Sequence, residues 1–328
     1  MTNDNRLNAD GLVLADRYED TMNSLVLPAL EKLCEKTIVK GDGGRPIACY
    51  SYQAENPRGT VVVLHGFTEN AYKFSELIYS LIQNGFCVLA VDQRGHGNSW
   101  RKEGLPDTSL THVDNFDEYV NDLDIICKQL LKSMPKPYGI FAHSMGGAVT
   151  GLFLERHPGV FGKAVLCAPM IALHRSGLPL FAAKLVCGVP TLLGRGAKRS
   201  FISKPYSGPE DFATSCASGR ERFDWYDKVK AAHPEYQNNS PSYRWMWEAV
   251  NVTKKLLAPG APEAIDCPVR LYAAEKDGSV LPNEQIAFIN RVKDGVRKQI
   301  PGSKHEIYRS PDDVLFPWWH EILEFYKA

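Results

Sequence analysis

The chain carries no net charge and no long apolar run, and these two absences exclude whole classes of function. Lys plus Arg and Asp plus Glu each number 38, so nothing in the balance draws the protein to nucleic acid or to a strongly anionic surface as its main partner. No segment reaches 18 uninterrupted apolar residues, so no bilayer-spanning helix is expected. The opening residues M-T-N-D-N-R-L-N-A-D lack the apolar core of a signal peptide. The eight cysteines stand singly, with no C-x-x-C pair, a spacing that suits a reducing compartment. Internal repeats and low-complexity tracts are absent too. The expectation is a cytoplasmic protein, with peripheral contact at the inner face of the membrane left open. With 44% hydrophobic and 23% charged residues the rest is ordinary globular composition, and 328 residues allow one large α/β domain or two.

What is present is a rhythm of apolar strand-like runs and amphipathic helical stretches, the pattern of a mainly parallel sheet with helices on both faces. Thr60–Leu64 is β-branched and nearly free of charge, as befits a strand buried on both faces. Asn70–Asn84 places Phe74, Leu77, Ile78, Leu81 and Ile82 at helical spacing before Gly85. Phe86–Val91, Tyr138–Ala142, Lys163–Ala168, Val269–Ala273 and Lys298–Ile300 read as further strands. Val113–Met134, Gly147–Arg156, Asn283–Val292 and Asp312–Tyr326 read as helices. Thr37–Val39 and Ile47–Tyr52 read as a hairpin around G-D-G-G. Between about Met170 and Asp266 the strands stop. Ninety residues are too many for a structureless loop, and the interval is read as a helical cap. Residues 1–170 and 266–328 then form the core, and 171–265 the cap.

The chemistry concentrates in Y-G-I-F-A-H-S-M-G-G-A, residues 138–148. A serine hydroxyl is a weak nucleophile until a sharp turn exposes it and a base takes its proton. Ala142 and Gly146 flank Ser144 at two residues on either side, where strand and helix backbones pass close together. The string by itself is common enough to arise by chance, so the order of its partners decides. Asp277, in A-A-E-K-D-G-S-V directly after a strand, is the acid candidate, with Glu275 as its rival. His305, in P-G-S-K-H-E-I just past the last strand, is the base candidate; His320 follows only inside the C-terminal helix. An oxyanion needs backbone donors prepared in advance. The Met145 amide, at the start of a helix, supplies one, and the Phe67 amide in L-H-G-F-T-E supplies the other. His65 is read as a brace that holds this hole in shape, at the edge of the substrate-binding set. Asp92, Arg94 and His96 in V-D-Q-R-G-H-G-N-S are read as loop braces, and His143 as structural.

Taken together, H-G-F at 65–67, D-Q-R-G-H-G-N-S at 92–99, A-H-S-M-G-G at 142–147, R-H-P-G-V at 156–160, A-P-M at 168–170 and H-E-I at 305–307 give a chain that resembles the α/β-hydrolase superfamily. The likeness covers roughly residues 37–170 and 266–328. Within the superfamily it is most similar to the lysophospholipase and monoacylglycerol lipase group. Ala142 before H-S-M-G-G, and S-P-S-Y-R-W at 240–245, look most like the bacterial inner-membrane lysophospholipases. The resemblance implies an eight-stranded, mainly parallel sheet with an inserted cap, and a Ser-His-Asp triad that hydrolyses an acyl ester of a lysophospholipid or monoacylglycerol. It implies no cofactor and no metal. Relatives vary between Asp and Glu on the acid loop.

The cap adds Leu178–Leu193, a stretch with a single charge that could line an acyl tunnel, touch a membrane interface, or pack on the core. Leu178, Phe181, Trp225, Tyr243 and Trp245 are its expected substrate-binding residues. Arg195, Lys198 and Arg199 could meet a lipid phosphate or stay solvated. A proline-type aminopeptidase would need acidic groups in the cap, for which Glu210, Asp211, Glu221 and Asp224 are available. The same fold would also serve a small-ester carboxylesterase or a non-catalytic scaffold. The sequence sets neither head group nor oligomeric state.

Overall fold

A computed structural model describes residues 6–175, 177–201 and 203–328. Its centre is an eight-stranded sheet: β1 (Cys34–Lys40), β2 (Pro46–Tyr52), β3 (Gly59–Leu64), β4 (Phe86–Val91), β5 (Tyr138–His143), β6 (Lys163–Cys167), β7 (Val269–Lys276) and β8 (Gly295–Lys304), in the order β1-β2-β4-β3-β5-β6-β7-β8. The β1–β2 hairpin and the β2–β4 pair are antiparallel. Every other pairing, from β4 through β3, β5, β6 and β7 to β8, is parallel. The expected fold class therefore holds.

Side-chain alternation divides the sheet into two cores. Val62, Leu64, Leu89, Val91, Ile140, Ala142, Leu166 and Leu271 face one side, against the helices Asp117–Gln129 and Met145–Arg156. Val61, Val63, Val88, Ala90, Phe141, Val165 and Tyr272 face the other, against Ser75–Gln83 and Asp312–Lys327. The second layer is completed by the N-terminal arm through Leu12, Met22, Val26 and Leu30. Burial on both faces explains why β3 and β4 read as continuous apolar runs.

Several elements differ from expectation in their bounds, two of them for a clear physical reason. The helix read from Val113 begins at Asp117. Ahead of it the Phe116 amide donates to Glu248 Oε2 at 3.1 Å, and Asp117 and Glu118 then occupy the first helical turn, where negative charge suits the dipole. The last strand runs over Gly295–Lys304, well beyond Lys298–Ile300. It is an edge strand in which half of the side chains are exposed and only Ser303 is buried, so apolar alternation marks only its middle.

The interval after β6 holds three longer helices, Leu180–Pro190, Arg220–Ala232 and Tyr243–Leu256. It also contributes a two-residue strand, Ser240–Pro241, which pairs with Leu110–Thr111, where no strand was expected. Tyr243–Leu256 sits on the core through Trp245, Ala249, Val252 and Leu256. Leu180–Pro190 lies on Tyr243–Leu256 so closely that a Cβ on Gly188 would come within 2.5 Å of the Trp247 ring. Arg220–Ala232 is pinned by Arg222, which is 1% exposed. Its Nε and Nη2 reach Glu76 at 2.9 Å each, Nη1 reaches Asp312 at 2.7 Å, and Nη2 also donates to the Val13 carbonyl.

Removing one partner of such a pair strands the other charge. Arg222→Met is expected to lower the unfolding free energy by about 3–5 kcal/mol, and adding Glu76→Gln to recover part of that loss. Urea unfolding of the two single variants and the double variant measures it; strictly additive losses would mean that the two side chains do not act together.

Candidate active site

Four parallel strands end at one edge of the sheet, and each is followed at once by a residue of the site. Ser144 follows β5, Asp277 follows β7, His305 follows β8, and the loop from His65 follows β3. Ser144 sits at φ 49°, ψ −113°, a left-handed conformation costly for a residue with a side chain. The turn holds because its surroundings leave no slack. A Cβ on Gly146 would stand 2.6 Å from the His65 carbonyl oxygen, and one on Gly147 would stand 2.6 Å from Pro169 Cβ. Helix and strand backbones thus pass at the separation that the small residues at 142 and 146 permit.

Three side chains from separate loops meet here. His305 Nε2 lies 2.8 Å from Ser144 Oγ, and Nδ1 lies 2.8 Å from Asp277 Oδ2. A carboxylate only accepts, so Nδ1 carries the proton and Nε2 is free to accept from the serine hydroxyl. The other Asp277 oxygen accepts from the Ser279 and Val280 amides at 2.8 and 3.1 Å. Burial works against an ionised Asp277, but the hydrogen bond and charge of His305 and those two amides outweigh it and hold its pKa below the usual value. Glu275 points elsewhere: it is exposed and accepts from the Gly302 amide at 2.9 Å. Ser144 and His305 are 8% and 6% exposed, so the pair is almost enclosed.

Met145 is the first residue of its helix, so its amide has no acceptor within the helix. Phe67 lies on the facing loop, with its ring against Trp245 at 4.1 Å between centroids. Thr68 takes φ 64°, another strained turn directly beside the site.

A buried carboxylate that sequence reasoning passed over organises these loops. Glu69, 2% exposed, ends the H-G-F-T-E string. Its Oε2 accepts from the Gly66 amide at 2.5 Å and lies 2.8 Å from His143 Nδ1. Its Oε1 accepts from Lys73 Nζ at 3.0 Å and from the Tyr308 hydroxyl. His143 Nε2 in turn lies 3.2 Å from the His305 carbonyl oxygen. Both ring nitrogens of His143 therefore face acceptors, which only the imidazolium satisfies. Burial opposes that charge, yet Glu69 raises the His143 pKa. Burial equally opposes ionised Glu69, and His143 and Lys73 bring its pKa well below the ordinary range. Lys73 also bonds Glu306 at 2.6 Å, and Glu306 bonds Arg309 at 2.7 Å. Two carboxylates thus stand among three cations beneath the triad.

The other expected site residues separate. His65 is fully buried; its Nδ1 donates to the Gly66 carbonyl at 2.7 Å and its Nε2 accepts from the Gln93 amide at 2.9 Å. It braces the loop and has no atom left for substrate, which corrects its inclusion in the substrate-binding set. Trp225 is corrected likewise: 3% exposed, it lies between Tyr18 and Tyr72 and donates to Asn23. Tyr243 accepts from the Phe201 amide through its hydroxyl. Trp245 abuts the Phe67 loop, while Leu178 and Phe181 are exposed on the cap. Of the basic trio, Arg199 reaches both Asp107 carboxylate oxygens through Nη2, at 2.7 and 2.6 Å. Asp92, Arg94 and His96 brace loops: Asp92 accepts from the Ala71 and Asn98 amides, Arg94 grips Asp122, and His96 contacts the Arg94 carbonyl. Among the described residues no three His, Cys, Asp or Glu side chains converge as a metal site, and no helix is long and apolar enough to cross a membrane.

Comparison with known proteins follows the same lines. The sequence family described as serine aminopeptidase, S33, matches residues 55–312. Lysophospholipase L2 of Escherichia coli K12 is 31% identical over 293 residues, covering 86% of this chain and 84% of that one. Monoacylglycerol lipase of Mycolicibacterium smegmatis is 30% identical over 142 residues, 41% of this chain and 48% of the relative. Among solved structures, a soluble variant of the Saccharomyces cerevisiae monoglyceride lipase with a substrate analogue superposes with a TM-score of 0.69 at 19% identity, over 89% of this chain and 95% of that one. Paleococcus ferrophilus monoacylglycerol lipase gives 0.66 at 22% identity, over 86% and 98%.

Glu69→Gln keeps the shape of the hub and removes its charge. It is expected to cost about 3–5 kcal/mol of stability. The depressed Glu69 pKa makes its contribution present above the unfolded carboxylate value near pH ~4.3 and lost on acidification through the folded pKa. The raised His143 pKa makes its own contribution complete below its unfolded value near pH ~6.5 and lost as pH rises through the folded pKa. The gap between wild type and variant should therefore peak between about pH 4 and 6.5. Chemical denaturation at stepped pH checks this, and a pH-independent gap would count against it.

Proposed function

The chain belongs to the serine aminopeptidase S33 family of the α/β-hydrolase superfamily and is a carboxylic ester hydrolase, and from that premise we propose that it releases the fatty acid from single-acyl-chain lipids through an acyl-enzyme on Ser144. The observation that carries the reading is the continuous chain Ser144–His305–Asp277, with both links at 2.8 Å. His305 Nε2 takes the serine proton as Oγ attacks the ester carbonyl, and Asp277 holds the imidazole in the matching tautomer and offsets its new charge. The Phe67 and Met145 amides receive the oxyanion. His305 then passes its proton to the leaving alcohol, and water, activated by the same imidazole, releases the fatty acid. The sequence and fold relatives that act on lysophospholipids and monoacylglycerols by name support a lipid ester as substrate.

The aminopeptidase reading is weakened by how the cap acids are engaged. Glu221 and Asp224 border a separate hollow with the N-terminal arm, and Asp224 is paired with Arg220 at 2.7 Å. Glu210 and Asp211 line the hollow beside Glu306, and there Glu210 is paired with Lys230 at 2.5 Å. Cleavage of a proline anilide at a rate rivalling long-chain esters would reverse this preference.

The cap also supports contact with a membrane surface. Leu180, Phe181, Leu185, Val189, Leu192 and Leu193 are exposed along one apolar stretch, Phe181 at 69% and Leu192 at 87%. Such a surface suits an interface from which a single-chain lipid is drawn. Together with eight free thiols, it supports action from the cytoplasmic side at the inner face of the membrane.

Two outcomes are expected. Ser144→Ala should lower ester hydrolysis by at least about 10⁴-fold with little change in thermal midpoint, and Asp277→Asn by about 10²–10⁴-fold; near wild-type turnover in Ser144→Ala would end the reading. Leu192→Asp with Leu193→Asp should weaken binding to phospholipid vesicles in a flotation assay by about tenfold or more, while hydrolysis of a soluble short-chain ester is retained. Unchanged flotation would remove the membrane contact.

A further inference from the structure

The chain is neutral as a whole, but its charges are not evenly spread. Residues 171–209, the first part of the interval after β6, hold six Lys and Arg and no Asp or Glu. The other 32 basic residues are set against all 38 acidic ones. One stretch of the cap therefore carries a net charge of +6, and the rest of the chain −6. A neutral molecule parted in this way turns its basic side toward an anionic surface.

The same stretch carries the exposed apolar ridge. Phe181, Leu185 and Val189 follow at spacings of four, so they share one side of the helix Leu180–Pro190. That helix turns Cys187 and Gly188 inward, with Gly188 against the Trp247 ring. The helical turn Thr191–Arg195 continues it and exposes Leu192 and Leu193. Cations then alternate with apolar groups: Arg195, Lys198, Phe201 and Lys204 are all exposed. Arg199, among them, is held inward by Asp107. Arg195, Lys198 and Lys204 form no ion pair among the described residues. The one paired cation anchors the segment, and three unpaired ones remain at the end of the ridge.

An apolar ridge with a basic end fits one kind of partner well. A second copy of the chain, seated on the same face, would set these cations against their own mates. A zwitterionic bilayer would take up the ridge and leave the cations without net attraction. A bilayer with anionic head groups satisfies both, since apolar burial and charge attraction add at such a surface.

Resting on the membrane contact read above, we propose that this face of the cap is a docking surface for bilayers that carry anionic phospholipids. Phe181, Leu185, Val189, Leu192 and Leu193 enter the acyl boundary, and Arg195, Lys198 and Lys204 meet the phosphates. The charge of the lipid, beyond the apolar ridge, then decides at which membrane the enzyme works.

Flotation of the whole protein tests this, with phosphatidylcholine vesicles and with vesicles of equal parts phosphatidylcholine and phosphatidylglycerol. The wild type should favour the anionic vesicles about a hundredfold, three cations at about fivefold each. Most of that preference should disappear in about 1 M salt, where screening acts within about 3 Å. Arg195→Gln, Lys198→Gln and Lys204→Gln together should bind both vesicles alike, with thermal midpoint and hydrolysis of a soluble short-chain ester unchanged. The same charge change at exposed Lys32, Lys36 and Lys132, on the N-terminal arm, on β1 and before β5, should leave the preference intact. Equal partition of the wild type into both vesicles, or an unaltered preference in the cap variant, overturns the proposal and leaves membrane contact standing. Partition into neither overturns the membrane contact, and the docking surface with it. A lipid-free dimer that Leu192→Asp with Leu193→Asp dissolves would assign the ridge to a second copy and overturn the proposal as well.

Discussion

The carboxylate of Glu69 is the constraint on which the rest of the site depends. It receives the Gly66 amide from the loop after β3, the His143 imidazolium from the end of β5, and the Tyr308 hydroxyl from the segment after β8. Those are the loops that carry Phe67, Ser144 and His305. Burying several charges has a desolvation cost that their mutual attraction roughly offsets, so the cluster is weak as a source of stability and strong as a source of geometry. Each loop alone has little reason to hold a strained turn at Thr68 or Ser144. A shared ionic centre ties the two strains to one another, and neither can relax without exposing an unpaired charge.

The sheet explains why those loops are neighbours at all. Parallel strands all release their chains at the same edge, so residues 65, 144, 277 and 305, far apart in sequence, emerge side by side. The helices inserted after β6 are held at two anchor points. Arg222 ties one helix to Glu76 and Asp312, while Tyr243–Leu256 is embedded in the core. Between these anchors the apolar Leu180–Pro190 helix turns outward, and a charged hollow opens beside Glu306.

Much of this was legible in the sequence because backbone constraints leave clear marks. The tight turn at Ser144 requires small residues at fixed offsets, and strands buried on both faces require unbroken apolar runs such as Thr60–Leu64. Asp277 and His305 stood out as candidates because each comes directly after a strand, Val269–Lys276 and Gly295–Lys304. Glu69 was not, although it lies inside H-G-F-T-E: its role depends on His143, Lys73 and Tyr308, which periodicity cannot bring together. The cap aromatics show the other limit. Trp225 and Trp245 look alike in sequence, yet one packs against the N-terminal arm and the other against the Phe67 loop. The edge strand β8 was seen only in part, because a strand with one neighbour and an exposed face loses its apolar alternation.

The most direct test of the central claim is to catch the acylated serine. Mixing the protein with a p-nitrophenyl ester and following the first turnover should give a burst of nitrophenol equal to the enzyme concentration. Intact-protein mass should rise by one acyl group, and peptide mapping should place that group on Ser144. An acyl group on any other residue, or steady turnover with no burst and no adduct under conditions where deacylation is slow, would contradict the account.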